Sequence, residues 1–475
     1  MTVRWSSLSG LAEAGLRMFD QVGGLLDSSL DSTIRLGVTG LRRSGKTVFI
    51  TSLVENLLKD APLPFLDVVV DNRFQAARLV PHPDLSIPRF DFERHLATLT
   101  DAEPRWPEET RGVSQIRVAI RYLPGSTVRR AVAPLATLNL DIVDYPGEWL
   151  LDLPLLTVGF AEWSRRTLDL ARRSPRAELA GPWLEWLNNV SAMSPAGEEE
   201  AKTGARLYTD YLLACRRSSF TLSLVQPGRF VEPGDLKGAP LLTFCPIPMP
   251  IDVPVPRGSL GELMQERFEA YKTSVVGNFF VKHFSRLDRQ IVLVDVLGAL
   301  NAGPAGMSDM QAALAASLEG FRHGRQNWLS RMFGSRVDRV LFAATKVDHI
   351  ASNQHNNLRT LLDRLVSDAR RNIRFEGATV ETMAIAAVKC TETVVTEHQG
   401  RKLWCIQGRP VGRDAPTVLF PGEIPDGLEI FPSGVEKPYN FLDFRPPPGV
   451  GRDGRGAPNI RIDQALNFLL GDYLA

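Results

Sequence analysis

The sequence predicts an α/β protein with a mostly parallel β-sheet whose two faces are covered by helices. An apolar run at residues 34–39 leads through a glycine-rich loop into a helical run at 48–59. Buried-type strands alternate with helical runs again from residue 290 to residue 387. This alternation favours a parallel sheet, because each helix carries the chain back to the end at which the next strand begins. At 475 residues, the chain can form two or three domains, or one domain with large insertions.

The composition is that of an ordinary soluble globular protein and excludes several classes of function. With 55 basic and 54 acidic residues, the net charge of +1 gives no field that would favour a nucleic acid as the main partner. The four cysteines form no Cys-x-x-Cys pair, which argues against a zinc site or disulfide framework and for the cytoplasm. No apolar run is long enough to span a bilayer. Peripheral attachment to the inner membrane stays open as an alternative.

An amphipathic helix is predicted within residues 1–30, where apolar side chains from Leu8 to Leu26 recur at three- and four-residue spacing. Its polar face mixes Glu13, Arg17 and Asp20, whereas a lipid surface favours Lys and Arg on that face. We therefore expect this helix to pack on the body of the protein or on a partner.

A β-hairpin and an irregular stretch are expected after the glycine-rich loop and its helix. Residues 115–122 and 137–143 alternate apolar and polar side chains and flank the turn signal Pro124-Gly125, which predicts two antiparallel strands. Residues 67–107 are rich in proline, arginine and aromatic residues and have no sustained period. This stretch is predicted to be irregular, with at most short helices.

These patterns divide the chain into five parts. They are an N-terminal amphipathic helix (1–30), the first part of the core with an insertion at about 60–110 (31–148), a helical insertion (149–288), the second part of the core (289–398), and a β-rich extension with a C-terminal helix (399–475).

The glycine-rich loop has the pattern G-x-x-x-x-G-K-T of a phosphate-binding P-loop. Glycine at both ends permits close approach of the backbone, so that successive N–H groups and the positive end of the helix face the phosphates. Lys46 is expected to neutralise the β- and γ-phosphates, and Thr47 to bind Mg²⁺. The predicted nucleotide-binding residues of this loop are Gly40, Arg42, Arg43, Ser44, Gly45, Lys46, Thr47 and Val48.

A second pattern, Asp144-x-x-Gly147, stands at the end of the strand predicted at 137–143. Beside a P-loop, Asp144 can hold Mg²⁺ through the water shell that this ion keeps. The Gly147 N–H can bond the γ-phosphate and release it after hydrolysis, which would make the segment a sensor of nucleotide state.

A third pattern, Thr345-Lys346-Val347-Asp348, closes the strand predicted at 336–345. The Asp348 carboxylate can accept hydrogen bonds from N1 and N2 of guanine, a pair of donors that adenine lacks. The stem of Lys346 can lie against the base. After the last strand, a backbone N–H near Val388 is a candidate partner for guanine O6, with Lys389 flanking the base.

Taken in this order, the patterns resemble those of a Ras-type GTPase. The stretches 37–47, 144–149 and 294–300 also resemble the bacterial YcjX family of stress-associated P-loop proteins, over nearly the whole chain. The resemblance implies a three-layer GTPase core, a large helical insertion between its third and fourth predicted strands, and small extra β elements. It also implies a role in stress response.

Two departures from the Ras-type pattern affect catalysis. Glu148 stands where a glutamine orients the attacking water, so slow hydrolysis is expected. The threonine that should complete the Mg²⁺ site has no motif around it; Thr110 is the best-placed candidate, with Ser114 behind it. The predicted catalytic residues are therefore Lys46, Glu148 and Thr110, and the metal ligands are Thr47, Asp144 and Thr110. Arg42 and Arg43 could act at the phosphates or point to solvent.

The sequence thus predicts a GTP- and GDP-binding switch with Mg²⁺, a slow GTPase whose helical insertion contacts a protein partner. A nucleotide-binding scaffold that does not hydrolyse is one alternative. A P-loop kinase or ATPase is another, although it gives no reason for the Thr-Lys-x-Asp pattern.

Overall fold

The computed structural model describes residues 31–41, 43–59, 61–108, 112–132, 134–220, 222–250, 253–326, 337–375, 378–425, 431, 439–451 and 454–475. The helix predicted within residues 1–30, the loop residue Arg42 and the candidate Mg²⁺ ligand Thr110 lie outside these ranges.

The protein is organised around one seven-stranded β-sheet. Its strands are β1 (Ser32–Gly40), β2 (Phe74–Val80), β3 (Ser114–Tyr122), β4 (Ala136–Asp144), β5 (Arg289–Val294), β6 (Arg339–Ala344) and β7 (Thr379–Ala384). They lie in the order β2-β3-β4-β1-β5-β6-β7. The five strands from β4 to β7 in this order run parallel, and β3 is antiparallel to both of its neighbours. The predicted fold class and the predicted β3–β4 hairpin are confirmed.

Helices connect and cover these strands. They are α1 (Lys46–Leu58), α2 (Asp67–Val70), α3 (Phe92–Thr100), α4 (Thr127–Val132), α5 (Gly147–Leu151), α6 (Phe160–Ala171), α7 (Arg176–Leu179), α8 (Gly181–Leu187), α9 (Glu198–Arg217), α10 (Gly228–Val231), α11 (Leu260–Tyr271), α12 (Asn278–Lys282), α13 (Val296–Asn301), α14 (Gly303–Gln326), α15 (His355–Phe375) and α16 (Ile462–Leu470). A π-helical segment, Lys272–Gly277, joins α11 to α12. Within the described residues, no helix has both the length and the apolar character needed to cross a bilayer.

The central strands bury both faces, as a three-layer fold requires. In β5, Ile291 and Leu293 pack with the cluster that includes α1 and α16. Val292 and Val294, which point the other way, pack with the cluster that includes the helices of the insertion. Side chains alternate across a strand, so each face receives every second residue. This double burial explains why the last four residues of β5, 291–294, are all apolar.

Strand β2 shows that the expectation for residues 67–107 was wrong in part. It pairs antiparallel with β3 at the edge of the sheet, with a register shift between Phe74 and Ala76. Its side chains are half-buried or exposed, so the segment lacks the apolar alternation by which strands are predicted. Pairing with β3, some forty residues later, decides its conformation.

The insertion between β4 and β5 contributes stacked aromatic side chains to the core on one face of the sheet. Trp183 stacks on Tyr211 with ring centroids 5.5 Å apart, and Trp163 stacks on Phe268 at 4.8 Å. All four side chains are buried. In the first part of the insertion, a 3₁₀ segment that contains Pro154, Leu153–Thr157, separates α5 from α6.

A small antiparallel sheet follows the core. Its strands are β8 (Thr391–His398), β9 (Arg401–Gly408) and β10 (Thr417–Leu419), in the order β10-β9-β8. It begins at Thr391, a few residues before the predicted start of the extension at 399. Residue 399 lies in the turn between β8 and β9, where Gln399 and Gly400 both have positive φ angles.

Candidate functional site

The carboxyl ends of β1, β4, β6 and β7 surround a cavity of about 330 Å³. Ligands of open α/β sheets bind at this edge, beyond the ends of the parallel strands. The cavity has the size of a small-molecule site. The predicted residues that line it are Gly40, Arg43, Ser44, Gly45, Lys46, Thr47, Val48, Gly147, Glu148, Lys346, Asp348 and Val388. Three patterns that lie far apart in the sequence therefore meet around one space.

Two glycines of the loop between β1 and α1 have the geometry that is typical of a phosphate-binding loop. Gly45 has a φ of 79° immediately before α1, a conformation that favours glycine. At Gly40, a Cβ would lie 2.9 Å from Cβ of Leu293 on the neighbouring strand. The first turn of α1 carries no acidic residue, so the positive end of the helix is open to an anion.

Lys46 links this loop to the end of β4. Its Nζ donates to the carbonyl oxygen of Tyr145 at 2.9 Å and lies 2.8 Å from Oδ1 of Asp144. Asp144 is 1% exposed, and apart from this ion pair neither of its carboxylate oxygens accepts a hydrogen bond from the described residues. A buried carboxylate is costly unless a cation compensates it, and here the Lys46 ammonium does so. The Asp144 carboxylate also fits a Mg²⁺ site, because Mg²⁺ takes oxygen ligands.

Gly147 packs directly on the phosphate-binding loop. A Cβ at Gly147 would lie 2.9 Å from the carbonyl carbon of Gly40 and closer still to its oxygen. The two predicted nucleotide-contacting segments therefore touch through glycine backbone. The next residue, Glu148, is nearly buried, and its Oε1 lies 3.6 Å from Nη2 of Arg216 at the end of α9.

The insertion holds α5 tightly on the other side. The Gly228 N–H donates to both oxygens of Asp152, at 3.0 and 2.9 Å, and the Tyr271 hydroxyl donates to Oδ2. Burial raises the pKa of Asp152 to about 7. The Arg229 guanidinium stacks 3.7 Å from the ring centroid of Trp149. A movement of residues 144–149 would therefore displace residues of the insertion.

Lys346 is fixed by two acidic residues from other parts of the chain. It has a φ of 60°, and its Nζ donates to Asp295 at 2.7 Å and to Asp443 at 3.0 Å. Burial opposes the charge, but the two carboxylates outweigh it and hold the pKa of Lys346 above its ordinary value. Asp295 also caps α13 by accepting the Gly298 N–H at 2.9 Å. The stretch 294–300 thus has a structural role beside the cavity.

Asp348 lines the cavity at the end away from the glycine-rich loop. It is 3% exposed, and its Oδ2 accepts the Cys390 N–H at 2.7 Å. A carboxylate offers about four acceptor positions, so this bond orients the group and leaves others for a ligand. Lys389 was expected to flank the base, but it is not among the residues that line the cavity. Its Nζ pairs with Glu392 at 2.6 Å, and Cys390 lines the wall instead.

Ser114, the alternative to Thr110, lies opposite Asp144 in the β3–β4 ladder. Its hydroxyl is buried and has no hydrogen bond within the described residues. It does not line the cavity, although it stands beside the carboxylate that fits a cation.

Comparison with known proteins gives the family. The family model described as "YcjX-like family, DUF463" matches residues 34–474. The chain belongs to the YcjX-like family. A relative from Escherichia coli (strain K12), named Ras-like GTPase YcjX, is 38% identical over 468 residues, which is 96% of this chain and 99% of the relative. Another of that name, from Shewanella oneidensis, is 36% identical over 490 residues, with 98% and 100% covered. The resemblance seen in the sequence is confirmed.

In this YcjX-like chain, several lining residues had no recognisable signal in the sequence. Trp106 closes one side of the cavity by donating its Nε1–H to the Phe444 carbonyl at 2.8 Å. Arg216 and Arg217 end a helix, where basic residues are common because they interact favourably with the negative end of the helix dipole. Their position in the sequence therefore gave no sign of a site. The lining residues outside the predicted patterns are Trp106, Pro107, Arg216, Glu232, His349, Cys390, Val411, Asp443 and Phe444.

Proposed function

We propose that this chain is a switch that binds GTP and GDP with Mg²⁺ and hydrolyses GTP slowly. The observation that carries the proposal is the cavity lined by the P-loop, by Gly147 of the Asp144-x-x-Gly147 pattern, and by Thr345, Lys346 and Asp348 of the third pattern. Asp144 itself does not line the cavity and contacts Lys46, which does. Two relatives covered over nearly their whole length bear the name Ras-like GTPase YcjX. Stress response, implied by the family resemblance, is the setting we propose.

In this proposal the two ends of the cavity take the two ends of the nucleotide. Backbone N–H groups of residues 40–47 and the Lys46 ammonium bind the phosphates. Asp348 accepts hydrogen bonds from guanine N1 and N2, and Lys346 lies against the base. Lys346 keeps its position without ligand because Asp295 and Asp443 hold it.

Asp144 and Thr47 are the residues that would hold Mg²⁺. The buried Asp144 carboxylate supports this assignment, because apart from the ion pair with Lys46 its oxygens have no hydrogen bond from the described residues. Bound there, the ion would neutralise phosphate charge. Lys46 lies beside the same carboxylate, so it would turn toward the phosphates when the ion arrives.

The contacts of α5 support a switch that acts on the insertion. Gly147 lies against the P-loop, and five residues later Asp152 accepts the Gly228 N–H of the insertion. Loss of a γ-phosphate contact at Gly147 would thus be transmitted to residues 226–232 through a short, packed path. We propose that the insertion contacts a protein partner in one nucleotide state.

Titration with fluorescent GDP and ADP, with and without Mg²⁺, tests the proposal. We expect GDP to bind far more tightly than ADP and Mg²⁺ to tighten GDP binding. Asp144→Asn should lose most of the Mg²⁺ effect, because an amide is a poor substitute for an ionised ligand. Asp210→Asn, on the exposed face of α9, is the matched control. Equal affinity for GDP and ADP would contradict guanine recognition.

Phosphate release over several turnovers separates the slow GTPase from a scaffold that only binds. We expect each protein molecule to release more than one phosphate from GTP, slowly, and none above background from ATP. A protein that binds GTP tightly but releases no phosphate would support the scaffold.

A further inference from the structure

Arg216 reaches the phosphate end of the cavity from the helical insertion. It stands in the last turn of α9, yet its side chain is only 13% exposed. It lines the same cavity as Lys46, Gly147 and Glu148. The neighbouring Arg217 is exposed and lines none of the cavity. The two arginines therefore differ in position, although both can favour the negative end of the helix.

Arg216 sits between two carboxylates that also line the cavity. Its Nη2 lies 3.6 Å from Oε1 of Glu148, and its Nη1 contacts Oε1 of Glu232. Two acidic groups and one basic group give this wall an excess of negative charge. A γ-phosphate entering beside Glu148 would be repelled unless a cation neutralised the pair. Arg216 is already at that place.

The helix that carries Arg216 is firmly anchored. Arg176, itself buried, donates to the Tyr211 hydroxyl at 3.1 Å and to Cys215 Sγ at 3.4 Å, within the turn that precedes Arg216. Arg176 also pairs with the buried Asp309. A guanidinium on so rigid a support needs only a side-chain movement to exchange a carboxylate for a phosphate oxygen, which is a geometry that catalysis favours.

Arg43 is less suited to this role. Besides the main cavity, it lines a smaller one of about 150 Å³ together with Asp295 and Asp443, the two partners of Lys346. Those residues lie at the end that holds Asp348. Arg43 therefore lies as close to the end of the cavity proposed for the guanine base as to the end proposed for the phosphates.

We propose that Arg216 is the arginine that contacts the γ-phosphate of GTP during hydrolysis, supplied by the insertion of the same chain. The assignment rests on the proposed GTPase function. In the reaction, a water oxygen bonds to the γ-phosphorus and the bond to the β–γ bridging oxygen breaks. GDP leaves with the bridging oxygen, and the proton of the water ends on phosphate. Arg216 stabilises the charge that develops on the phosphoryl oxygens.

The proposal also gives the insertion a part in catalysis. Glu232 follows α10, and the backbone of α10 lies against Glu148, where a Cβ at Gly228 would be 2.8 Å from the Glu148 carbonyl carbon. Any displacement of the insertion from α5 would withdraw Arg216 from the cavity. Hydrolysis would then depend on how the insertion is docked.

Single-turnover GTP hydrolysis by Arg216→Ala, Arg216→Lys and the control Arg217→Ala tests this. We expect Arg216→Ala to be slower by roughly 10³-fold, the lower range for such arginines, while its GDP affinity stays within about twofold. Arg216→Lys should recover little, because lysine lacks the planar fork of donors. Added guanidinium should partly rescue Arg216→Ala. Binding of aluminium fluoride to the GDP complex should weaken in parallel.

Several outcomes would overturn the proposal. A wild-type rate in Arg216→Ala would do so, and so would a loss of rate that guanidinium leaves unchanged while aluminium fluoride still binds. If the wild-type protein binds GDP but hydrolyses no GTP, the assignment of Arg216 fails and nucleotide binding stands. If the wild-type protein binds no guanine nucleotide, the proposed function itself fails.

Discussion

Replacing Asp348 by asparagine should exchange a preference for guanine with a preference for xanthine, and the structure indicates how. The Cys390 N–H donates to one oxygen of Asp348 at 2.7 Å. In the variant, the Cys390 N–H donates to the side-chain oxygen of the asparagine, since an amide NH₂ cannot accept a hydrogen bond. The NH₂ group then faces the ligand, where guanine also presents donors. Xanthine presents an oxygen at position 2 and can accept.

The size of the effect follows from the two bonds that are lost. Hydrogen bonds to a charged group contribute about 1.5–3 kcal/mol each. Two of them correspond to roughly 3–6 kcal/mol, and about 1.4 kcal/mol changes an equilibrium constant tenfold. We therefore expect GDP affinity to fall by roughly 10²- to 10⁴-fold. Asp348 is buried, so solvent offers the displaced donors little compensation.

The assay is titration of wild-type protein, Asp348→Asn and the Asp210→Asn control with fluorescent GDP, xanthosine diphosphate and ADP. The control should match wild type with all three ligands. Asp348→Asn should bind xanthosine diphosphate more tightly than GDP. If the variant binds GDP as wild type does, Asp348 does not contact the base, and the Thr345–Asp348 segment is only a turn.

Two further predictions concern α5. Because burial raises the pKa of Asp152 to about 7, above its ordinary value of 3.8, folding favours the protonated form, and the associated stability is lost as pH rises through 7. Urea unfolding measured at pH 5 and at pH 8 should show that the free energy of unfolding falls between these pH values by roughly 2–3 kcal/mol more in the wild type than in Asp152→Asn. An equal fall in both proteins would refute the raised pKa of Asp152. Gly147→Ala should weaken GDP binding at least about tenfold, because its Cβ overlaps the Gly40 carbonyl; the control Gly181→Ala, with open space at its Cβ, should not.

The parts of the site that the sequence predicted are those whose chemistry is local. Gly45 and Lys46 are recognisable because a left-handed glycine and a helix start must be adjacent in sequence to form the loop. Asp144 ends β4 and Asp348 lies four residues after the end of β6, and parallel strands bring such positions to one edge. The fold class followed from the same regularities of strand and helix.

The parts that the sequence did not predict depend on distant contacts. Strand β2 lacks an alternating pattern because it lies at an edge, and only pairing with β3 makes it a strand. Lys389 follows its strand as expected, but its side chain pairs with Glu392 and does not line the cavity. Neither outcome could be derived from residues within one turn or strand.

By itself, then, the sequence determined the α/β core, the phosphate loop and the two strand-end aspartates, because each depends on neighbouring residues and on strand direction. Only the tertiary structure decided that Arg216 of the insertion lies between Glu148 and Glu232, and that Asp443 holds Lys346. Those pairs join residues separated by up to about a hundred positions, and no periodicity in a chain specifies which charged side chains will meet once its layers pack.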